Sequence, residues 1–374
     1  MKIAFDAKRA FHNHRGLGNY SRDVIRLLST YFPENEYYLM NPKEKNNIKF
    51  PINENTKVIY PESFFYKYNS SYWRSSGCIS QLKRIQSDIY HGLSQELPYG
   101  IHKTGIKTVV TMHDAIFVRY PELYDFFYRK MFVKKNQYSC KVADKIIAIS
   151  EQTKQDFIDF FDAEPAKVEV VYQGCNNIFR EKISEETISS VKNKYNLPDN
   201  FLLNIGAIEK RKNLETIIRS IHIGKIVLPL VVIGGKSSYL EEIKSLIAEL
   251  KLEKQILFLH HVETKDLPAI YKMSELFIYP SMFEGFGIPI LEAICVGTPV
   301  ITSKGSCFKE TGGESTIYVD YNNAEEMSFE INRVLSDHVL SENMIEAGLK
   351  HADLFTDDKV ASNLIKVYNN LYNK

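Results

Sequence analysis

The chain has 374 residues, 44% of them hydrophobic and 25% charged, which is more than one hydrophobic core usually serves and predicts two globular domains. Lys and Arg number 47 against 46 Asp and Glu, a net charge of +1, so neither a polycationic nucleic-acid binder nor an acidic disordered chain is expected. No apolar run approaches the roughly 20 residues of a membrane span, the opening MKIAFDAKRAF lacks a signal peptide's apolar stretch, and five scattered cysteines show no C-x-x-C. An intracellular enzyme with reduced thiols is therefore expected, without a disulfide framework or a zinc site.

Short β-branched runs alternate with helical patterns along the chain. KIAFD (2–6), KVIYP (57–61), DIYHG (88–92), KTVVTMHD (107–114), KIIAIS (145–150) and KVEVVY (167–172) read as buried parallel strands. Amphipathic stretches at 18–32 and 121–143 lie between them. The same grammar restarts with FLLNIGA (201–207), LPLVVIGG (228–235), QILFLHH (255–261), ELFIYPS (275–281) and TPVITS (298–303). The polar segment 181–200 carries the boundary between two parallel α/β domains of similar size. Charge divides similarly: residues 1–178 hold 25 Lys and Arg against 19 Asp and Glu, and the remainder 22 against 27. Either chance distribution over solvated faces or an anionic partner of the first half accounts for this.

Ligands of doubly wound sheets bind beyond the carboxyl ends of strands, near helix N-termini that favour anions. In RGLGNYS, Gly16 and Gly18 open a helix, but nine residues separate Asp6 from Gly16, which disfavours a dinucleotide fingerprint and hence an NAD-dependent oxidoreductase. A plain N-terminal turn and a backbone approach to a phosphate both remain open for Gly16. His113, at the end of a central strand, reads as a polar contact to substrate or as a structural hydrogen-bonder. Lys210, Arg211 and Lys212 precede a helix starting near Asn213, where cations oppose the helix dipole unless an anion sits there. In YPSMFEGFGIPILEA, Glu284 precedes a helix and Glu292 lies on it, both expected on one cleft wall. Carboxylates in one short segment suit sugar and ribose hydroxyls better than the flanking pair a glycosidase needs.

These residues resemble a family. G-L-G-N-Y (16–20), H-D-A-I (113–116), I-S-E-Q-T (149–153), Y-Q-G-C-N (172–176), E-K-R-K-N-L (209–214) and Y-P-S-M-F-E-G-F-G-I-P-I-L-E-A (279–293) are similar to motifs of the retaining glycosyltransferases of family 4, in family order. The resemblance implies an α/β fold of GT-B architecture, two Rossmann-like doubly wound parallel-sheet domains facing a central cleft. An acceptor domain would span 1–178 and a donor domain 179–355, with a helix at 356–374 crossing back to the first.

It also implies roles. Lys212 and Arg211 would hold the donor diphosphate, and Glu284 would accept from sugar hydroxyls. Phe286, Gly287 and Ile288 would offer backbone N–H groups, Glu292 would bind the ribose, and the base would rest near Val262. Gly16 and Gly18 would approach the diphosphate, and His113 would lie beside the reacting sugar. Ala207 and Ile208 stand where many members carry an Arg, so Lys210 or Arg211 must substitute. The implied reaction moves a sugar, GDP-mannose being the first expectation for donor, to a glycan or lipid-linked acceptor in surface-polysaccharide or lipopolysaccharide assembly. No cofactor or metal is expected, since no D-x-D or His/Asp/Glu cluster stands out. An epimerase or hydrolase on the same scaffold is the alternative. Aromatic and basic residues interleave at 63–86, including Phe64, Phe65, Tyr68, Trp73 and Arg74, and again at 126–141. That pattern suits either peripheral contact with the inner face of the plasma membrane or rings packed on the sheet with cations in water. The expected location is cytoplasmic.

Overall fold

A computed structural model describes residues 1–45, 47–235 and 237–373 and divides the chain into two compact units. The first holds Met1–Gln173 with Thr356–Lys374, the second Gly174–Phe355.

In the first unit, strands β1 (Lys2–Asp6), β2 (Glu36–Met40), β3 (Thr56–Ile59), β4 (Ile89–Gly92), β5 (Lys107–Met112), β6 (Lys145–Ala148) and β7 (Val168–Val170) form one sheet. Their order is β3-β2-β1-β4-β5-β6-β7, with every pairing parallel. In the second, β8 (Leu202–Ile205), β9 (Leu230–Ile233), β10 (Ile256–Leu259), β11 (Leu276–Tyr279), β12 (Val300–Ser303) and β13 (Ile317–Val319) follow the order β10-β9-β8-β11-β12-β13, again parallel. Parallel strands need crossovers, and the helices that provide them cover both faces. The central strands are correspondingly apolar: β9 and β11 are buried at every position. Strand order reverses at β1/β4 and at β8/β11, the points where loops diverge and leave room for a ligand.

Two strands escaped the sequence reading. β2 (EYYLM) follows a glutamate-rich turn and carries two tyrosines, yet Tyr37 is fully buried, its hydroxyl satisfied by Leu28 O at 2.8 Å and Phe32 O at 2.9 Å. β13 has only three residues at the sheet edge, too few for a pattern.

The change of unit falls at Gly174, not at 179 and not within 181–200. Cys175 and Phe179 pack into the second unit, with the Cys175 sulfur 3.3 Å from that of Cys295 and the Phe179 ring edge-on to Tyr271 at 5.9 Å. The polar segment 181–200 is largely a surface helix, Glu185–Tyr195, capped by Ser184 and burying only Val191. Its polarity reflects an exposed face, not a linker.

The last helix, Asp357–Tyr372, belongs to the first unit and packs on helix Gly16–Tyr31. Asp357 pairs with Arg26 at 2.6 Å, and Tyr368 reaches the sheet centre, its hydroxyl 2.6 Å from His91 Nδ1. His91 Nε2 lies 2.8 Å from Thr111 Oγ1, which also meets the Tyr20 hydroxyl at 2.9 Å. Burial keeps the His91 imidazole neutral, with its pKa at about 3. This fully enclosed chain joins the last helix to β4, β5 and helix Gly16–Tyr31. Tyr368→Phe leaves a buried His91 nitrogen unsatisfied, which costs roughly 1–3 kcal/mol. Thermal unfolding of the variant is expected several degrees below the parent; an unchanged midpoint would show that the helix docks by apolar contact alone.

Candidate active site

At the β8/β11 reversal two loops face each other. The first leaves β8 through Gly206, turns at Lys210–Lys212, and enters helix Leu214–Ile223. Asn213 makes that entry in the left-handed region (φ 56°), a conformation asparagine tolerates. Its side-chain amide donates to Tyr321 O at 2.6 Å and its Oδ1 accepts from Thr216 Oγ1 at 3.0 Å, so the turn is tied at both ends. The second loop leaves β11 after Tyr279 and enters helix Ile288–Val296 through Gly287, whose φ of 92° requires glycine. Pro289 occupies the first turn, where its missing N–H has no helical partner to lose.

The cations before the helix do find an anion, and it is a protein carboxylate. Glu284 Oε1 accepts from Lys212 Nζ, from Arg211 Nη1 at 2.8 Å, from Ser281 Oγ at 2.6 Å and from the Tyr279 hydroxyl at 3.1 Å. Burial alone would raise the Glu284 pKa, but the charges of Lys212 and Arg211 outweigh it and hold the carboxyl at about 2. Burial depresses the Lys212 pKa in turn, against the opposing pull of Glu284. Lys212 also lies 4.9 Å from the Tyr279 ring centroid. Arg211 is steadied by Glu209 at 2.8 Å and by Phe283 O at 2.5 Å. Lys210 turns away to Glu242 at 3.4 Å on the solvent face, so Arg211, not Lys210, joins the cluster.

Glu292 sits in the opposite environment. On helix Ile288–Val296 its Oε2 accepts from the Tyr271 hydroxyl at 3.0 Å, and burial raises its carboxyl to about 7 against that one hydrogen bond. Among the described residues the two glutamates share no hydrogen-bond partner. One stays ionised across the physiological range and the other titrates near neutrality, a separation produced by environment alone. Phe286 turns its ring inward against Phe355 at 5.7 Å, and its carbonyl accepts from Thr311 Oγ1. The amides of Gly287 and Ile288 open the helix, where N–H groups have no partner within it.

Val262 is half-buried in the loop after the edge strand β10, directly after His261, whose φ is 109°. Gly16, Gly18 and His113 all belong to the first unit. A Cβ on Gly16 would meet nothing within 4 Å, so its backbone is open to close approach. A Cβ on Gly18 would lie 1.8 Å from Asn13 O, so the second glycine is required by packing between helix and loop. His113 is 6% exposed, with Nε2 2.8 Å from Leu93 O and its ring edge-on to Tyr20 at 4.7 Å. The carbonyl contact makes Nε2 the protonated nitrogen and leaves Nδ1 an acceptor. Burial keeps this imidazole neutral too, with its pKa at about 4.

Four residues of the second unit escaped the sequence reading. Tyr279 and Ser281 stood inside the Y-P-S motif, where only their contacts reveal that they aim Glu284. Tyr271 lies a helix away from Glu292 in sequence. Ser306, in the left-handed region (φ 51°), clamps the Glu284 backbone: its hydroxyl donates to Glu284 O at 2.9 Å and accepts from Glu284 N at 3.2 Å. Only a Gly-Ser turn after β12 marked it in the sequence.

Two parallel sheets of Rossmann-like order, with a cation–carboxylate cluster at the β8/β11 reversal, define a GT-B glycosyltransferase, a transferase of sugars. Residues 24–177 match the Glycosyltransferase Family 4 model and residues 185–351 the Glycosyl transferases group 1 model, and the chain belongs to that family. It is 26% identical over 292 residues to the O-antigen chain mannosyltransferase B of Escherichia coli, covering 77% of this chain and 75% of that one. It is 30% identical over 240 residues to the Serotype-specific mannosyltransferase WbdA of Escherichia coli, covering 62% of this chain but only 29% of WbdA. Its fold matches that of the sucrose-phosphate synthase from Thermosynechococcus elongatus with a TM-score of 0.78 and 18% identity, over 100% of this chain and 99% of that one. The oxidoreductase reading is thereby displaced.

The raised carboxyl of Glu292 has a stability consequence. Its folded value lies above the ordinary 4.5, so no penalty exists below about pH 4.5 and the full penalty applies above about pH 7. Glu292→Gln removes it and is expected to stabilise the ligand-free protein at pH 8 relative to pH 4.5 by roughly 2–3 kcal/mol. Thermal unfolding of both proteins at the two pH values measures this; an offset independent of pH would place Glu292 in water.

Proposed function

We propose that the protein transfers a mannosyl residue from GDP-mannose, with retention of the anomeric configuration, to a glycan or lipid-linked acceptor in surface-polysaccharide or lipopolysaccharide assembly. The observation that carries the reading is the convergence of Arg211 and Lys212 on Glu284 at the β8/β11 reversal. Two cations held by a turn at the mouth of a parallel sheet match a diphosphate in charge and position. The mannosyl and polysaccharide parts are supported by the names of the O-antigen mannosyltransferase relatives.

In this reading Arg211 and Lys212 hold the diphosphate of the donor. As the glycosidic C–O bond breaks, negative charge grows on the departing phosphate oxygen. Two preorganised cations in a partly buried setting stabilise that charge without reorganising, and they do so without a metal ion. Glu284, ionised at any working pH, accepts from sugar hydroxyls. Glu292 accepts from the ribose, and the amides of Gly287 and Ile288 offer donors at the helix start. In the first unit, His113 is neutral with Nδ1 as acceptor, which suits a sugar hydroxyl. Attack on the sugar from the side the leaving group vacates would give retention.

Lys212→Ala removes one charged hydrogen bond to the leaving group, about 1.5–3 kcal/mol, or roughly ten- to a hundredfold in turnover. Steady-state kinetics at saturating GDP-mannose is expected to show that loss in kcat; an unchanged kcat rejects the leaving-group role. Following the anomeric proton of the product by NMR tests retention, and release of free mannose without transfer would favour a hydrolase.

The lipid-linked acceptor has a second support. Phe64, Tyr68 and Phe127 are 84%, 85% and 78% exposed, an unusual state for large rings, and Phe65, Phe126 and Met131 are exposed beside them. The two segments are tied together, since Glu96 accepts from both Arg74 at 2.7 Å and Lys135 at 3.2 Å. Lys130 and Lys134 are exposed on the same helix, Phe126–Val142. Trp73 and Arg74 drop out of this surface: the Trp73 indole is buried and donates to Gln81 Oε1 at 2.6 Å, while Arg74 pairs with buried Asp6. No helix among the described residues is long and apolar enough to cross a membrane, so contact would be interfacial. Each cation near an anionic surface adds about 1 kcal/mol, which predicts salt-sensitive binding. Sedimentation with anionic vesicles at low and high salt measures it, with Phe64→Ser and Phe127→Ser expected to weaken retention; no sedimentation at low salt favours an acceptor in solution.

A further inference from the structure

Cys175 and Cys295 are 120 positions apart in sequence, yet their sulfurs lie 3.3 Å apart, within hydrogen-bonding range of each other. Both are nearly enclosed, at 4% and 7% exposure. The other three cysteines stand apart from this arrangement. Cys78 and Cys307 direct their sulfurs to Arg74 O at 3.6 Å and Glu284 O at 3.3 Å, and burial pushes the Cys140 thiol up to about 12. Cys295 is shifted the other way. A hydrogen bond from Cys175 lowers its pKa against the effect of burial, and the nearby Arg180 guanidinium helps. Arg180 is itself held by Ala352 O at 2.6 Å.

The surroundings give the pair a lever on the donor site. Cys295 follows Glu292 by three positions on helix Ile288–Val296, and residues so spaced share a helix face. Cys175 lies in an irregular segment just before the turn Asn177–Phe179, whose Phe179 ring packs on Tyr271. Tyr271 is the residue that donates to Glu292. Both thiols therefore belong to elements that touch the Tyr271–Glu292 pair.

We propose that Cys175 and Cys295 form a reversible dithiol–disulfide site, oxidised by low-molecular-weight disulfides, and that closing it weakens nucleotide binding at Glu292. The Cys295 thiolate attacks one sulfur of the small disulfide, releasing one thiolate and leaving a mixed disulfide. Cys175, deprotonated, then attacks the Cys295 sulfur and expels the second thiolate. The protein loses two protons and two electrons, and the small disulfide gains the two electrons as two thiols. The covalent part stands independently of the donor reading; the effect on nucleotide affinity rests on it.

Full-length protein incubated with oxidised glutathione, alkylated, digested and mapped by mass spectrometry tests the site. A linked peptide joining Cys175 to Cys295 is expected, lost on reduction with dithiothreitol and absent from Cys175→Ser and Cys295→Ser. Calorimetry with GDP, UDP and ADP before and after oxidation is expected to show about five- to tenfold weaker binding of the nucleotide that binds, restored by dithiothreitol. No linked peptide, or a stable glutathione adduct at Cys295 that Cys175 never resolves, overturns the site. Linkage with unchanged affinity overturns the coupling. Reduced protein that binds none of the three nucleotides overturns the donor reading and the coupling with it, while mass alone decides the linkage.

Discussion

The ion cluster of Arg211, Lys212 and Glu284 is the constraint on which the second unit's site depends. Each member is unfavourable alone: cations ahead of a helix oppose its dipole, and a buried carboxylate loses its water. Together they offset one another, and Tyr279 and Ser281 complete the carboxylate's hydrogen bonds on the same oxygen. The cluster also holds the two loops together, since Met282 N donates to Arg211 O at 2.8 Å and Ser281 Oγ to the same carbonyl at 3.2 Å. The loops after β8 and β11 are thus fixed as a pair, with their charged groups placed in advance of any ligand. Ser306 extends the arrangement to a third loop, after β12, by fastening the Glu284 backbone.

The sheet centre of the first unit holds neutral, buried polar groups. His91, Thr111, Tyr20 and Tyr368 form a hydrogen-bonded chain through the sheet centre, and His113 stands against Tyr20. Desolvation makes an imidazolium unfavourable there, so both histidines act as hydrogen-bonding groups and not as charges. Beside them, the first unit also holds a buried ion cluster at its reversal, where Arg74 pairs with Asp6 at 2.5 Å and with Glu96 at 2.7 Å.

Much of the fold was legible because parallel strands buried on both faces must be apolar runs, and eleven of them stood out between amphipathic helices. β2 and β13 did not, since two tyrosines or a three-residue span carry no clear pattern. The polar segment 181–200 was misleading for a related reason: a surface helix and a linker have the same composition. At the site, Lys212, Arg211, Glu284 and Glu292 were legible because their residue types make physical demands that spacing exposes. Tyr271 and Ser306 were not, because a tyrosine on a neighbouring helix and a serine in a turn acquire meaning only from what they touch.

The amino-acid sequence by itself determined the two parallel α/β units, the loops that bear the chemistry and the family to which the chain belongs, because periodicity and residue type are local properties. Tertiary structure decided which charges meet. It turned Lys210 to solvent and Arg211 to Glu284, assigned Gly18 to packing, removed Trp73 from the surface, pushed one glutamate's pKa down and the other's up to near neutrality, and brought Cys175 against Cys295. Each of these is a matter of distance and desolvation between residues far apart in the chain, and those arise only when the sheets and helices pack.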